Sequence, residues 1–137
     1  MNAQDRPVVA ITMGDVNGVG PEIVAKALAH PIVHEWCVPV VVGSAQALEK
    51  ARAFADGCPE VRLLDRWERL FEEGAGPCAW VDSAAVADPP VEPGIPTAEA
   101  GTAAVCWIEH AAALCEADKA AALVTAPISK HGVRLAN

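Results

Sequence analysis

Residues 38–42 read Val-Pro-Val-Val-Val. A run that short, and apolar at every position, describes a strand buried on both faces; a half-exposed strand would alternate. Such strands belong to parallel sheets covered by helices, and the rest of the chain supplies the alternation this demands. Residues 8–13, Val-Val-Ala-Ile-Thr-Met, form a β-rich apolar run; a Gly-rich segment follows, and Pro21 opens a helical stretch over 21–29. Proline suits a first helical position because its missing N–H would have no partner there. Glu22 in the first turn complements the helix dipole, and Pro31 is expected to end the helix. After 38–42, Gly43-Ser44 reads as a turn, with Ser44 as N-cap of a helix over 45–55. Residues 60–64 read as a third strand, 67–71 as a helical turn and 79–81 as a short strand.

Residues 83–96 differ. Pro89, Pro90, Pro93, Gly94 and Pro96 exclude a regular helix and predict an extended surface connection or an inter-domain crossover. Thr97 then caps a long helix over 98–117, whose Ala100, Ala104, Trp107, Ile108, Ala111 and Leu114 fall on one face. A final strand over 120–124 leads into Thr125-Ala126-Pro127-Ile128-Ser129-Lys130. Strands alternating with helices make this an α/β fold, a mostly parallel sheet flanked by helices.

Composition narrows the function. Hydrophobic residues make up 53% of the 137, enough for a folded core. The longest apolar stretches run to about five residues, against the roughly 20 of a membrane span. The opening Met1-Asn2-Ala3-Gln4-Asp5-Arg6 carries no apolar signal core. A net charge of −8 argues against nucleic acid as a partner; a small anion can still be held by one lysine or a helix N-terminus. The five cysteines, Cys37, Cys58, Cys78, Cys106 and Cys115, are widely spaced with no C-x-x-C pair. They read as free thiols of a reducing, cytoplasmic compartment.

Two segments can carry chemistry. The first is Thr12-Met13-Gly14-Asp15-Val16-Asn17-Gly18-Val19-Gly20-Pro21-Glu22, between a strand and a helix. Ligands of open parallel sheets bind outside the carboxyl ends of strands, and a helix N-terminus there offers N–H groups. The spacing fits neither the dinucleotide fingerprint nor the P-loop, and the Asp15 charge would repel a phosphate. The alternative is a tight turn in which Asp15 caps backbone N–H groups. The second segment is 125–130, where Lys130 can meet a phosphate or carboxylate and Thr125 can donate a hydrogen bond, or where Lys130 is simply solvated. His30 and His34 stand four apart, but Pro31 breaks the helix that would align them; His110 reads as structural, and His131 has no defined role. No metal site and no Ser-His-Asp or Cys-His arrangement follows from spacing.

Ile11-Thr12-Met13-Gly14-Asp15 with Gly18-Val19-Gly20-Pro21-Glu22-Ile23 resembles the opening of the 4-hydroxythreonine-4-phosphate dehydrogenase family, a strand followed by M-G-D-P-A-G-I-G-P-E. Thr97-Ala98-Glu99-Ala100-Gly101 is a second match. Ala122-Leu123-Val124-Thr125-Ala126-Pro127-Ile128-Ser129-Lys130, similar to the family's A-L-V-T-A-P-I-x-K, is a third. The resemblance implies an isocitrate/isopropylmalate dehydrogenase-like fold, incomplete at the C-terminus, with residues 1–137 as the N-terminal portion. It implies oxidation of a secondary alcohol beside a carboxylate by NAD or NADP, and loss of CO₂ from the resulting β-keto acid. A divalent metal (Zn, Mg or Co), a small phosphorylated hydroxy-acid substrate and a homodimer belong to the full-length enzyme. On this resemblance Gly14, Asp15, Asn17, Gly18, Thr125 and Lys130 face cofactor or substrate. The family's three metal-binding histidines and its Gly-His-Thr segment fall beyond Asn137, so no catalytic or metal residue is assigned here. Val16-Asn17 replaces the usual Pro-Ala. That change points toward sister substrates, phosphorylated threonate or erythronate or a terephthalate-derived dihydrodiol. The rival reading is a non-catalytic binding or dimerisation module.

Overall fold

The computed structural model describes residues 5–72, 78–82, 84 and 88–137. The side chains of Cys78 and Ala79, and most of the 83–87 part of the Pro-rich connection, lie outside the described residues. The strands are β1 (Val8–Thr12), β2 (Val38–Val42), β3 (Glu60–Leu63), β4 (Cys78–Asp82) and β5 (Ala122–Thr125), in one sheet ordered β3-β4-β2-β1-β5. Every pairing is parallel. The helices are α1 (Gly20–Ala29), α2 (Pro31–Trp36), α3 (Ala45–Ala51), α4 (Ala98–Glu116) and α5 (Lys130–Leu135), with 3₁₀ turns at Arg52–Phe54 and Trp67–Phe71. No helix among the described residues is long and apolar enough to cross a membrane.

β2 is buried at all five positions, as its unbroken apolar run demands. It tolerates Pro39 because its pairing with β4 begins only at Val40, so on that side no ladder bond is missed. Trp107 of α4 is fully buried with Val40, Val41, Val42, Leu28 and Leu48. Each such side chain contributes about 1.5–3 kcal/mol of burial. α4 lies on β1, β2 and β5, while α1 packs on α3. The β1→β2→β3 connections lead toward one edge, whereas β4→β5 crosses back past β2 and β1 to the other. Right-handed crossovers in opposite directions put their helices on opposite faces.

Several boundaries differ from the sequence reading. Pro31 ends α1 and also starts α2: His30 is extended between them, and Pro31 sits in the first turn of the new helix. The helix expected over 45–55 tightens to 3₁₀ geometry after Ala51 and closes with Ala55 N–H on the Arg52 carbonyl at 3.1 Å. β5 starts at Ala122, two residues later than expected, because residues 117–121 make the exit from α4. There Lys119 and Ala120 both donate to the Leu114 carbonyl, and Asp118 takes φ 56°. The largest difference is α5, absent from the sequence reading. Ser129 is its extended N-cap, with Oγ accepting from Gly132 N–H at 3.0 Å. Six residues carry too little periodicity to declare a helix; packing on α4 stabilises it.

α5 approaches α4 backbone to backbone. A Cβ at Gly101 would run into the carbonyl group of Gly132. In an open helix Gly→Ala stabilises by about 0.5–1 kcal/mol; here overpacking of about 1–3 kcal/mol opposes it and wins. Gly101→Ala is therefore expected to lower the urea midpoint of the chain, and a raised midpoint would contradict the contact.

Candidate functional site

β1 and β5 are parallel neighbours with Thr12 opposite Thr125, so the segments that follow them leave the sheet side by side. The ladder continues past the strands: Ala126 N–H donates to the Thr12 carbonyl at 3.0 Å, and Asp15 N–H to the Pro127 carbonyl at 3.0 Å. Gly14 makes this possible. Its φ is 73°, and a Cβ there would strike the carbonyl of Pro127. From this edge the chain turns one way into α1 and the other way, through 126–129, into α5 on α4. In open parallel sheets, the edge where loops diverge from adjacent strands is the usual ligand position.

The six residues expected at the site divide into three groups. Gly14 and Asp15 are buried and shape the turn. Asp15 Oδ1 accepts from Asn17 N–H at 2.8 Å and its carbonyl from Gly18 N–H at 3.1 Å, an Asx-type turn. The capping alternative for Asp15 is thus what the structure contains. Asn17 is buried and directed inward, its side chain bonded to residues 92–97. Gly18, Thr125 and Lys130 lie at the edge, all three exposed. A methyl group added at Gly18 would meet only ordinary contacts, at 3.6 Å and beyond. Lys130, expected in a loop, is the first residue of α5. Its side chain makes no ion pair among the described residues. A groove of about 460 Å³ runs beside α5, lined by Pro89, Pro90, Ala98, Glu99, Thr102 and Leu135 among others, and neither Asp15 nor Lys130 lines it.

Two features of this edge escape a sequence reading. Thr12 Oγ1, fully buried at the strand end, has no hydrogen-bond partner among the described residues. An orphaned buried hydroxyl costs about 1–3 kcal/mol, and a strand-end threonine gives no sequence signal of it. Asp82, at the end of β4, holds His110 of α4 through Oδ2–Nε2 at 3.0 Å and takes Ala84 N–H on Oδ1 at 3.0 Å. This gives His110 the structural part expected of it.

Among the described residues no group of three or more His, Cys, Asp or Glu side chains can hold a metal ion. His34 is tied to the Leu28 carbonyl at 2.7 Å, and His131 is exposed. Cys37, Cys58, Cys106 and Cys115 are free. Burial pushes the Cys37 and Cys58 thiols up from their ordinary value, against the opposing pull of Arg6 and Arg52. Neither is an activated nucleophile.

Residues 35–137 match the family model described as pyridoxal phosphate biosynthetic protein PdxA. A 4-hydroxythreonine-4-phosphate dehydrogenase of Desulfosudis oleivorans is 37% identical over 134 residues, 96% of this chain and 38% of the relative. A D-threonate 4-phosphate dehydrogenase of Cupriavidus necator is 36% identical over 132 residues, 93% of this chain and 38% of the relative. The crystal structure of a 4-hydroxythreonine-4-phosphate dehydrogenase from Burkholderia phymatum superposes with TM-score 0.80 at 35% identity, covering 95% of this chain and 39% of that one. The chain thus spans about two fifths of the length of the relatives it matches.

The loop geometry separates two glycines that look alike in sequence. Gly14→Ala is expected to cost about 1–3 kcal/mol, from the positive φ and the collision with Pro127. Gly18→Ala should stay within about 0.5 kcal/mol. Chemical denaturation of both variants checks this; equal losses would remove the special role of Gly14.

Proposed function

The chain belongs to the pyridoxal phosphate biosynthetic protein PdxA family, and on that premise we propose that it is the N-terminal portion of a cytoplasmic, homodimeric, NAD(P)- and divalent-metal-dependent dehydrogenase acting on 4-phosphooxy-threonine. The observation that carries the reading is the meeting of the two motif loops, 14–20 and 125–130, at one sheet edge where the chain diverges. In the proposed reaction the carbinol C–H leaves as hydride to NAD(P)⁺ and the hydroxyl proton goes to solvent. The β-keto acid formed then loses CO₂, the C–C bonding pair passing to the enolate, which takes up a proton from solvent at the former α-carbon.

The described residues do not fit a metal, since no ligand cluster is present among them, so no step is assigned to a metal on this chain. Nor does the 14–20 loop fit a dinucleotide phosphate unaided, because Asp15 places a buried carboxylate within it. What this chain contributes is substrate framing. Lys130 offers an ammonium at the sheet edge to the substrate's phosphate or carboxylate, and Thr125 an exposed hydroxyl on the same segment. Asp15 and Gly14 fix the opposing loop, so that little reorganisation remains when substrate arrives. The near-equal identity to the D-threonate 4-phosphate dehydrogenase, 36% against 37%, favours phosphorylated threonate as the second substrate to assay.

The test is NAD(P)H formation by the longer enzyme carrying this chain, with each phosphorylated hydroxy acid and the terephthalate dihydrodiol. Lys130→Ala is expected to lower kcat/KM for a phosphorylated substrate about tenfold or more, while loss of an exposed ammonium leaves stability within about 0.5 kcal/mol. The 137-residue chain alone is expected to produce no NADH and to bind no stoichiometric Zn²⁺ or Mg²⁺ by calorimetry. Metal-dependent turnover by that chain would overturn this division of labour.

A further inference from the structure

The connection that brings the chain from β4 to α4 is poor in hydrogen-bonding capacity. Pro89, Pro90, Pro93 and Pro96 have no N–H to give. What order it has near the site is a turn over residues 92–95, closed by Ile95 N–H on the Glu92 carbonyl at 3.1 Å. Pro93 and Gly94, the latter at φ 82°, hold its central positions, as a type II turn requires. The turn is exposed and does not pack on the sheet as a strand would.

One residue holds it. Asn17 is 4% exposed. Its Oδ1 accepts from Glu92 N–H at 2.7 Å; its Nδ2 donates to the Ile95 carbonyl at 2.9 Å and to Thr97 Oγ1 at 3.3 Å. Its backbone carbonyl accepts from Gly94 N–H at 2.7 Å. The residue's own N–H goes to Asp15. Thr97 Oγ1 is also the cap of α4, accepting from Ala100 N–H at 3.2 Å. One turn further on, Gly101 abuts Gly132 in α5, two residues past Lys130. A continuous line of contacts therefore runs from Asp15 through Asn17 and Thr97 to the helix that carries Lys130.

We infer that Asn17 is a positioning residue, a clamp that seats the 92–97 turn and the capped start of α4 against the loop after β1. It stands where the resembling family has alanine, whose methyl group can make none of the three side-chain bonds. The effect on turnover rests on the dehydrogenase reading; the clamp itself does not.

Amide exchange in the 137-residue chain isolates the clamp. In Asn17→Ala, Glu92 N–H loses its acceptor and is expected to exchange about tenfold faster or more, while Ala10 and Val41 in the sheet keep their rates. Asn17→Asp, the second variant should alanine unfold the chain, retains an acceptor for Glu92 but no donor. It should preserve protection at Glu92, whose acceptor it keeps. Unchanged exchange at Glu92 in Asn17→Ala, or equal acceleration at Glu92, Ala10 and Val41, overturns the proposal. In the longer enzyme, Asn17→Ala should raise KM for the phosphorylated substrate about tenfold with kcat within about twofold, as expected when uniform binding is lost. A fall in kcat at unchanged KM overturns the positioning role. A wild-type enzyme inactive on every substrate refutes the dehydrogenase reading, and the clamp is then decided by exchange alone.

Discussion

The backbone contact between the loops after β1 and β5 organises the carboxyl edge of the sheet. Parallel pairing brings Thr12 and Thr125 level, but pairing alone would let the two chains separate at the strand ends. They stay together because Asp15 N–H reaches the Pro127 carbonyl, an approach that requires position 14 to carry no side chain. Both loops then start from one fixed point. Asp15 is turned inward to hold its own loop, and Lys130 is left at the edge on the other. The site's charge pattern follows from one steric constraint on the backbone.

A second constraint works through what the Pro-rich connection lacks. Its four prolines give no N–H to a ladder, and over residues 92–97 the turn's own bond is supplemented from outside by a buried amide. An amide side chain suits this task because it presents one acceptor and two donors in a plane, matching a turn that offers an N–H and a carbonyl side by side. A carboxylate would satisfy only half of that pattern. Buried polar groups of this kind are tolerated where their capacity is filled, as it is at Asn17. Thr12 and Trp107, each with a buried polar atom unpaired among the described residues, differ in this respect.

The central strands are legible because burial on both faces writes an unbroken apolar run, as in 38–42, and Pro21 marks the start of α1 through its first-turn chemistry. The long helix is legible from its spacing, and Ala100, Ala104, Trp107, Ala111 and Leu114 are buried as that spacing requires, while Ile108, expected on the same face, is only half-buried. Strand order and α5 are not. Order depends on which edges meet in space, and α5 on a contact between Gly101 and Gly132, far apart in the chain. For the site, the shared edge of the two loops follows from strand-loop-helix grammar. The inward turn of Asn17 does not, since its partners lie 75 to 80 residues away and are mostly backbone atoms, which carry no sequence signature. The capacity of Asp15 to cap is evident from its residue type. The choice between capping and contact with a ligand depends on where the Asn17 N–H stands, and that is a matter of loop geometry.

The strand order also bears on how such a chain is made. β1 precedes its partner β5 by roughly 110 residues, about 6–20 s at ordinary elongation rates. Through that interval β2 can pair with β1, while the other edge of β1 presents unsatisfied backbone groups to any passing strand, including that of a neighbouring nascent chain. The edge that later carries the site is thus an unpaired strand edge until β5 is made.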